Sequence, residues 1–248
     1  MNACILGGDP RIRWHASDTQ SVWTQRAVDV IAVALQNALG DTQSKVRLLV
    51  SGGSTPAPVY RGLANIDLDW SRVVIGLVDD RDVPADNKGS NARAIRDQLL
   101  TDRASAATFQ PLRETAATLQ AAIDMANLRW RGAIDQPIVA ALLGMGDDGH
   151  TASLFPGASN LDAALVSTQP YFQVDAAGCP VAGDYPRRIS MTPFALAQAR
   201  QRVLLIRGAK KRDTLIAALS AGPVAAMPIR IALQTSLAPL HVHWCAQE

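Results

Sequence analysis

Asp147, Asp148 and His150 are the residues whose types and spacing best suit chemistry in this 248-residue chain. They lie in a glycine-rich turn that directly follows the apolar run Ile138 to Leu143. An imidazole suits proton transfer near neutral pH. An aspartate two residues earlier can orient the ring or hold its proton, as the acid of a triad does. The bland alternative is a polar loop histidine with no task. The run Gly144-Met145-Gly146-Asp147-Asp148-Gly149 also has the spacing of a dinucleotide-binding turn. Two aspartates would then face a pyrophosphate, and Pro156 and Gly157 leave little room for the long helix that must follow, so that reading is rejected. No metal site is expected: His15, His241 and His243 stand at no ligand spacing from His150. His241 and His243 share one face of a short strand and read as ordinary surface or edge residues. No serine or cysteine has a recognisable nucleophile setting such as a GxSxG elbow.

Three other regions carry suggestive groups. In Ser51 to Pro56, Gly52 and Gly53 permit backbone conformations that turn N–H groups inward. Thr55 reads as a helix cap, with Pro56 at the first helical position. With the partial positive charge of a helix start, Gly52, Gly53, Ser54 and Thr55 form a plausible phosphate cradle; a strand-to-helix turn that binds nothing explains them equally well. No Gly-Lys-Ser/Thr follows, so it is not a Walker loop. In Asp79 to Pro84, Arg81 could hold a phosphate or an oxyanion beside Asp79, whereas a solvated ion-pair cluster is the plain reading. Ser90 and Asn91 are sufficiently explained as helix caps. Downstream, Arg187 and Arg188 precede a second cap-then-proline start at Thr192-Pro193. Lys210 and Lys211 fall in the first turn of a helix, where the dipole disfavours cations, so a function for one of them competes with plain solvation.

The elements that must position these groups alternate. Helices are read over Ser17 to Gly40, Asn91 to Leu100, Glu114 to Arg131 and Gly208 to Leu219, with short ones after Pro56 and Pro193. Strands are read over Lys45 to Ser51, Val73 to Val78, Ile138 to Leu143, Val203 to Arg207 and Leu240 to Trp244. The first strand is thus expected at about Lys45. The segment Leu161 to Tyr185 shows loop residues and weak patterning, and a flap over the site is one role open to it. Alternation with short connections argues for a parallel sheet covered by helices in one domain. In such folds ligands sit at the carboxyl ends of the strands, where the candidate loops lie.

Composition narrows the classes. With 48% hydrophobic and 19% charged residues the chain can bury a large core. A net charge of +2 with no basic tract asks for neither nucleic acid nor an anionic membrane. Cys4, Cys179 and Cys245 are odd in number and far apart, which fits reduced thiols in the cytoplasm. The opening residues read as no signal peptide, and no run approaches the length of a membrane helix.

Several segments together resemble the 6-phosphogluconolactonases, in order and over nearly the whole chain. They are Ser51 to Pro56, Asp79-Asp80-Arg81 with Val83-Pro84, Ser90-Asn91, Arg188-Ile189 with Thr192, and Gly208 with Lys211. The long stretch Gly144 to Pro156 matches the family signature throughout. Asp80 stands where the family has Glu, Ser190 where it has Thr, and the carboxyl-terminal segment matches only loosely. The resemblance implies a Rossmann-like three-layer α/β/α fold with a mostly parallel sheet. It implies hydrolysis of 6-phospho-D-glucono-1,5-lactone in the cytoplasmic oxidative pentose phosphate pathway, without metal or cofactor. His150 would be the general base, Asp148 its orienting partner, and Arg81 a group for the oxyanion or the substrate oxygens. Gly52, Gly53, Ser54, Thr55, Asp79, Arg188 and Lys211 would bind the sugar phosphate. The related glucosamine-6-phosphate deaminases carry a catalytic glutamate where this chain has Phe155, and a phenylalanine cannot polarise a histidine. A non-catalytic sugar-phosphate sensor is the remaining alternative. Such sensors usually carry a DNA-binding segment, for which the residues before Lys45 leave no room. No oligomeric state follows from the sequence.

Overall fold

The computed structural model describes residues 6–113, 118–234 and 236–247. Seven strands form one parallel sheet: β1 (Ile12–Ser17), β2 (Val46–Val50), β3 (Val73–Leu77), β5 (Thr108–Gln110), β6 (Ile138–Leu143), β9 (Ala199–Arg207) and β10 (Leu240–Cys245), in the order β1-β10-β9-β6-β2-β3-β5. Every residue of β2, β3 and β6 is buried, which is why β3 and β6 read as apolar runs and β2 as one interrupted only by the buried Arg47.

Helices cover both faces. They are α1 (Gln20–Asp41), α2 (Ala57–Ala64), α3 (Asn91–Gln98), α4 (Leu119–Gly132), α5 (Leu161–Val166), α6 (Pro193–Leu196) and α7 (Gly208–Leu219). Thr19 caps α1 by accepting from the Val22 N–H, and the helix buries Trp23, Val28, Ile31 and Leu35 at helical spacing. The indole N–H of Trp23 donates to the His243 carbonyl. On the other face Trp244 donates to the Gly208 carbonyl and lies under Arg212 of α7. Because neighbouring residues of a strand face opposite ways, α1 and α7 sandwich the sheet.

A second sheet, antiparallel and of order β4-β8-β7, is built from β4 (Asp79–Arg81), β7 (Tyr171–Asp175) and β8 (Arg187–Met191). Its outer strand is closed off by two side chains. The Asn127 amide exchanges both hydrogen bonds with the Tyr171 backbone. Asn160 donates to the Gln173 carbonyl and accepts from the Asp175 N–H. The two amides imitate a neighbouring strand, so this edge offers few unpaired groups for association.

Several expectations are corrected. The first strand is Ile12–Ser17, not one near Lys45; its half-polar, partly exposed run IRWHAS hides an edge strand. The segment after Leu161 holds α5 and β7 rather than only loops. Helix α4 starts at Leu119, capped by Thr118; Glu114 to Ala117 lie outside the described residues. Strand β9 begins four residues before Val203. Thr55 does not cap α2: Pro56 holds that position without a side-chain bond. His241 and His243 are not ordinary surface or edge residues. Strand β10 is interior to the sheet, His243 is fully buried, and both rings stack on His15. The expected caps at Ser90 and Thr192 are present, accepting from the Ala92 and Ala195 N–H groups.

Candidate active site

The sheet order places the site. From β2 the chain builds outward through β3 and β5 on one side, while β6, β9, β10 and β1 fill the other. The carboxyl ends of the adjacent strands β2 and β6 are therefore the point where the winding reverses, and a crevice opens there. The loop Ser51–Pro56 leaves β2 and the loop Gly144–His150 leaves β6, side by side.

The β6 loop is held tightly. The Gly146 N–H donates to the His150 carbonyl, and Gly149, at φ +79°, donates back to Gly146. Thr151 donates its hydroxyl to the Gly144 carbonyl. His150 Nδ1 meets Asp148 Oδ1 at 2.6 Å, and the same oxygen accepts from the His150 backbone N–H at 3.1 Å. Burial pushes the Asp148 carboxyl up, but the hydrogen bond and charge of His150 outweigh it and leave it below the ordinary carboxylate range. With Nδ1 engaged, Nε2 is the nitrogen left for chemistry. Phe155 packs on the imidazole at 4.4 Å between ring centroids, and Arg188 lies over its ring. Gly146 is required here: a Cβ would overlap His150 Nδ1 and Asp148 Oδ1.

The small antiparallel sheet supplies the opposite wall. Arg81 pairs across it with Arg188, and Asp79 with Ser190, so all four side chains share one face. Arg81 Nη1 donates to Asn91 Oδ1, and Asn91 Nδ2 donates to the Asp79 carbonyl and, more weakly, to its carboxylate. Ser153 donates its hydroxyl to Asp79 Oδ2 at 2.5 Å, and its N–H to Ser190 Oγ. Arg188 is buried and donates to the Tyr185 and Ala182 carbonyls. Asp80 points away from the cavity. Fully buried, it accepts from the N–H groups of Arg81, Asn91 and Ala92 and from the Ser90 hydroxyl, closing the start of α3. Burial pushes its pKa up to about 6 despite those donors.

A cavity of about 210 Å³ is bounded by His150, Asp79, Arg81, Asn91, Phe155 and Arg188, with Gly52 and Gly53 along one side. A second, of about 160 Å³, shares Ser51 to Gly53, Gly144 and Met145 and adds Thr55, Arg207 and Lys211. Of the residues expected from the sequence, His150, Arg81, Asp79 and Arg188 border the first, and Asp148 is joined to it through His150. Gly52 and Gly53 lie between the two, and Thr55 and Lys211 border the second. Ser54 is exposed and borders neither. Arg188 faces the cavity of His150 rather than that of Lys211. Capping is a sufficient reading of Asn91 from its position alone, so its inward reach is visible only in the structure. Ser90 is the cap, and the Asn91 side chain packs on Gly52, where a Cβ would strike it. Ser153 and Arg207 were likewise missed. Among the described residues no group of His, Cys, Asp and Glu has the arrangement to hold a metal ion.

A crevice at the winding reversal, with a histidine–aspartate pair, guanidinium groups and a glycine loop, defines an α/β protein built for a small anionic ligand. Comparison with known proteins makes this specific. The profile of the family described as glucosamine-6-phosphate isomerases/6-phosphogluconolactonase matches residues 18–244. The 6-phosphogluconolactonase of Xylella fastidiosa (strain 9a5c) is 43% identical over 96% of this chain and 98% of its own. That of Rhizobium meliloti (strain 1021) is 38% identical over 93% and 97%. The crystal structure of a 6-phosphogluconolactonase from Shewanella baltica OS155 is 35% identical and covers 96% of this chain and 99% of its own, with a TM-score of 0.87. A monomeric glucosamine-6-phosphate deaminase shares the fold, with a TM-score of 0.73 at 16% identity over 93% and 95% of the two chains. The chain belongs to the glucosamine-6-phosphate isomerase/6-phosphogluconolactonase family, and within it to the 6-phosphogluconolactonases.

Proposed function

We propose that the chain hydrolyses 6-phospho-D-glucono-1,5-lactone to 6-phospho-D-gluconate with His150 as general base and without a metal ion. The observation that carries this reading is the 2.6 Å contact between His150 and Asp148, which points the second imidazole nitrogen at the cavity bordered by Arg81 and Arg188. His150 Nε2 takes a proton from a water as that water attacks the lactone carbonyl. The same proton is then delivered to the ring oxygen as the ester bond breaks. Asp148 fixes the tautomer and stabilises the imidazolium formed in between. Arg81 lies where it can stabilise the tetrahedral oxyanion, with Arg188 on the same wall. No covalent acyl-enzyme is needed.

The phosphate lies in the neighbouring cavity, between Gly52, Gly53, Thr55 and Lys211, with the start of α2 adding its partial charge. Holding the phosphate away from the reacting carbon spends binding energy on orienting the lactone toward the water. The deaminase alternative is disfavoured by Phe155: it is buried, packs on His150 and carries no proton. We place the reaction in the cytoplasmic pentose phosphate pathway. No described helix is long and apolar enough to cross a membrane.

The test measures lactone loss above its spontaneous rate for the native protein and for His150→Ala. A fall in kcat of about 10²–10⁴ is expected. Retention of near-native kcat would remove the general-base assignment.

A further inference from the structure

Asp147 stands between the two halves of the site and borders neither cavity. Its Oδ1 meets Lys211 Nζ at 2.7 Å and its Oδ2 meets Lys210 Nζ at 2.5 Å. Its backbone carbonyl lies 3.3 Å from the Thr214 hydroxyl, which has a nearer acceptor in the Lys210 carbonyl at 3.0 Å, so the two lysines are the main ties between the loop that carries His150 and α7. Hydrogen bonds from Lys210 and Lys211, with the charges of both, hold the Asp147 carboxyl below its usual range. The two lysines differ. The Lys210 side chain is 73% exposed, whereas that of Lys211 is 30% exposed and borders the cavity with Arg207 and the glycine loop. A phosphate bound there meets an ammonium already paired with a carboxylate, and it must share or displace that partner.

We propose that Asp147 is a positioning residue that sets how tightly the phosphate end of substrate and product is held, acting through Lys211. The inference rests on assigning the phosphate to the Lys211 cavity. Asp147 lowers the net positive charge offered to a phosphate and so speeds release of the phosphorylated product. A ligand without the phosphate does not compete for Lys211 and is little affected by Asp147.

The probe is inorganic phosphate as a competitive inhibitor, with 6-phosphogluconate as a second ligand. Asp147→Asn should lower both inhibition constants about 2- to 5-fold, the range expected for losing a partly exposed ion pair. Asp147→Glu, which restores the charge, should return them toward native values. Lys211→Ala should raise both constants, and adding Asp147→Asn in that background should no longer tighten binding. A purely structural clamp predicts the reverse for Asp147→Asn: a looser loop, lower kcat and weaker phosphate binding. Unchanged or weaker binding by Asp147→Asn, with Lys211→Ala still weakening it, overturns the role of Asp147 alone. Unchanged inhibition constants in Lys211→Ala overturn the phosphate assignment and this inference with it.

Discussion

His243 makes the acid sensitivity of this fold calculable. It is 1% exposed, its Nε2 has no hydrogen-bond partner among the described residues, and its ring stacks on His15. Burial first, then the charges of His15, His241 and Arg26, lower its pKa from 6.5 to about 3. The native state therefore keeps this ring neutral at pH 5, while the unfolded chain protonates it as pH drops below 6.5. The unfolded state binds the extra proton, so stability falls with pH through that window, until the native ring itself titrates near 3. From pH 7 to pH 5 the loss is about 2 kcal/mol from this one group, at about 1.4 kcal/mol for each pH unit below 6.5. His243→Phe keeps a ring in the stack and removes the titration. Urea unfolding at pH 7 and pH 5 gives the assay, and the quantity to compare is each protein's loss between the two pH values. The native protein should lose about 2 kcal/mol more than the variant. Any packing cost of the larger ring cancels, because it is the same at both pH values. Equal losses would show that His243 titrates as in the unfolded chain, and the burial argument would fall.

Two further predictions concern the loop that carries His150. Asp148→Asn should lower kcat about 10²–10⁴-fold with little change in KM, because the amide can still reach the ring but cannot balance the imidazolium charge; a loss under about 3-fold, measured by initial rates, would argue against that role for Asp148. Gly146→Ala should lower kcat by about 10² or more, since its Cβ must push His150 and Asp148 apart, with a stability cost of about 1–3 kcal/mol by thermal melt. Full activity in that variant would mean the pair tolerates displacement and does not act as positioned here.

How much of this was legible depends on how local each cause is. The apolar runs of β3 and β6, and of β2 apart from the buried Arg47, declare themselves, because both faces of those strands are buried. Helix α7 is bounded as expected from Gly208 to Leu219. Strand β4 could not be read: Asp79-Asp80-Arg81 has no strand propensity and is extended only because β8 pairs with it. Strand β1 lies at the sheet edge, where an unbroken apolar run is not needed. The His150–Asp148 pair was visible because both members sit within three residues. The contact of Asp147 with Lys211 was not, since it joins distant parts of the chain, and the turn of Asn91 toward Arg81 was not, since it depends on the extended path of β4 and on Asp80 closing the start of α3.

The pairing of Arg81 with Arg188 ties the fold to the chemistry. Like charges directly opposite across two strands destabilise a sheet, so the arrangement needs compensation. Arg188 obtains it from two backbone carbonyls and the Phe155 ring, and Arg81 from the Asn91 amide, whose position Asp80 fixes through the start of α3. These partners are neutral. Asp79 is the one carboxylate on that wall, and it is engaged by Ser153 and Asn91. The wall therefore keeps a positive field directed at the cavity that a full set of salt bridges would have cancelled. A shift of β4 by one residue against β8 would turn Arg81 to the opposite face and bring Asp80 inward, while Arg188 stays where the pairing of β8 with β7 holds it. The short strand is thus fixed by its polar side chains, and the same bonds that hold Asp80 and Asn91 in place keep Arg81 at the cavity, where the proposed reaction would develop negative charge on the lactone carbonyl.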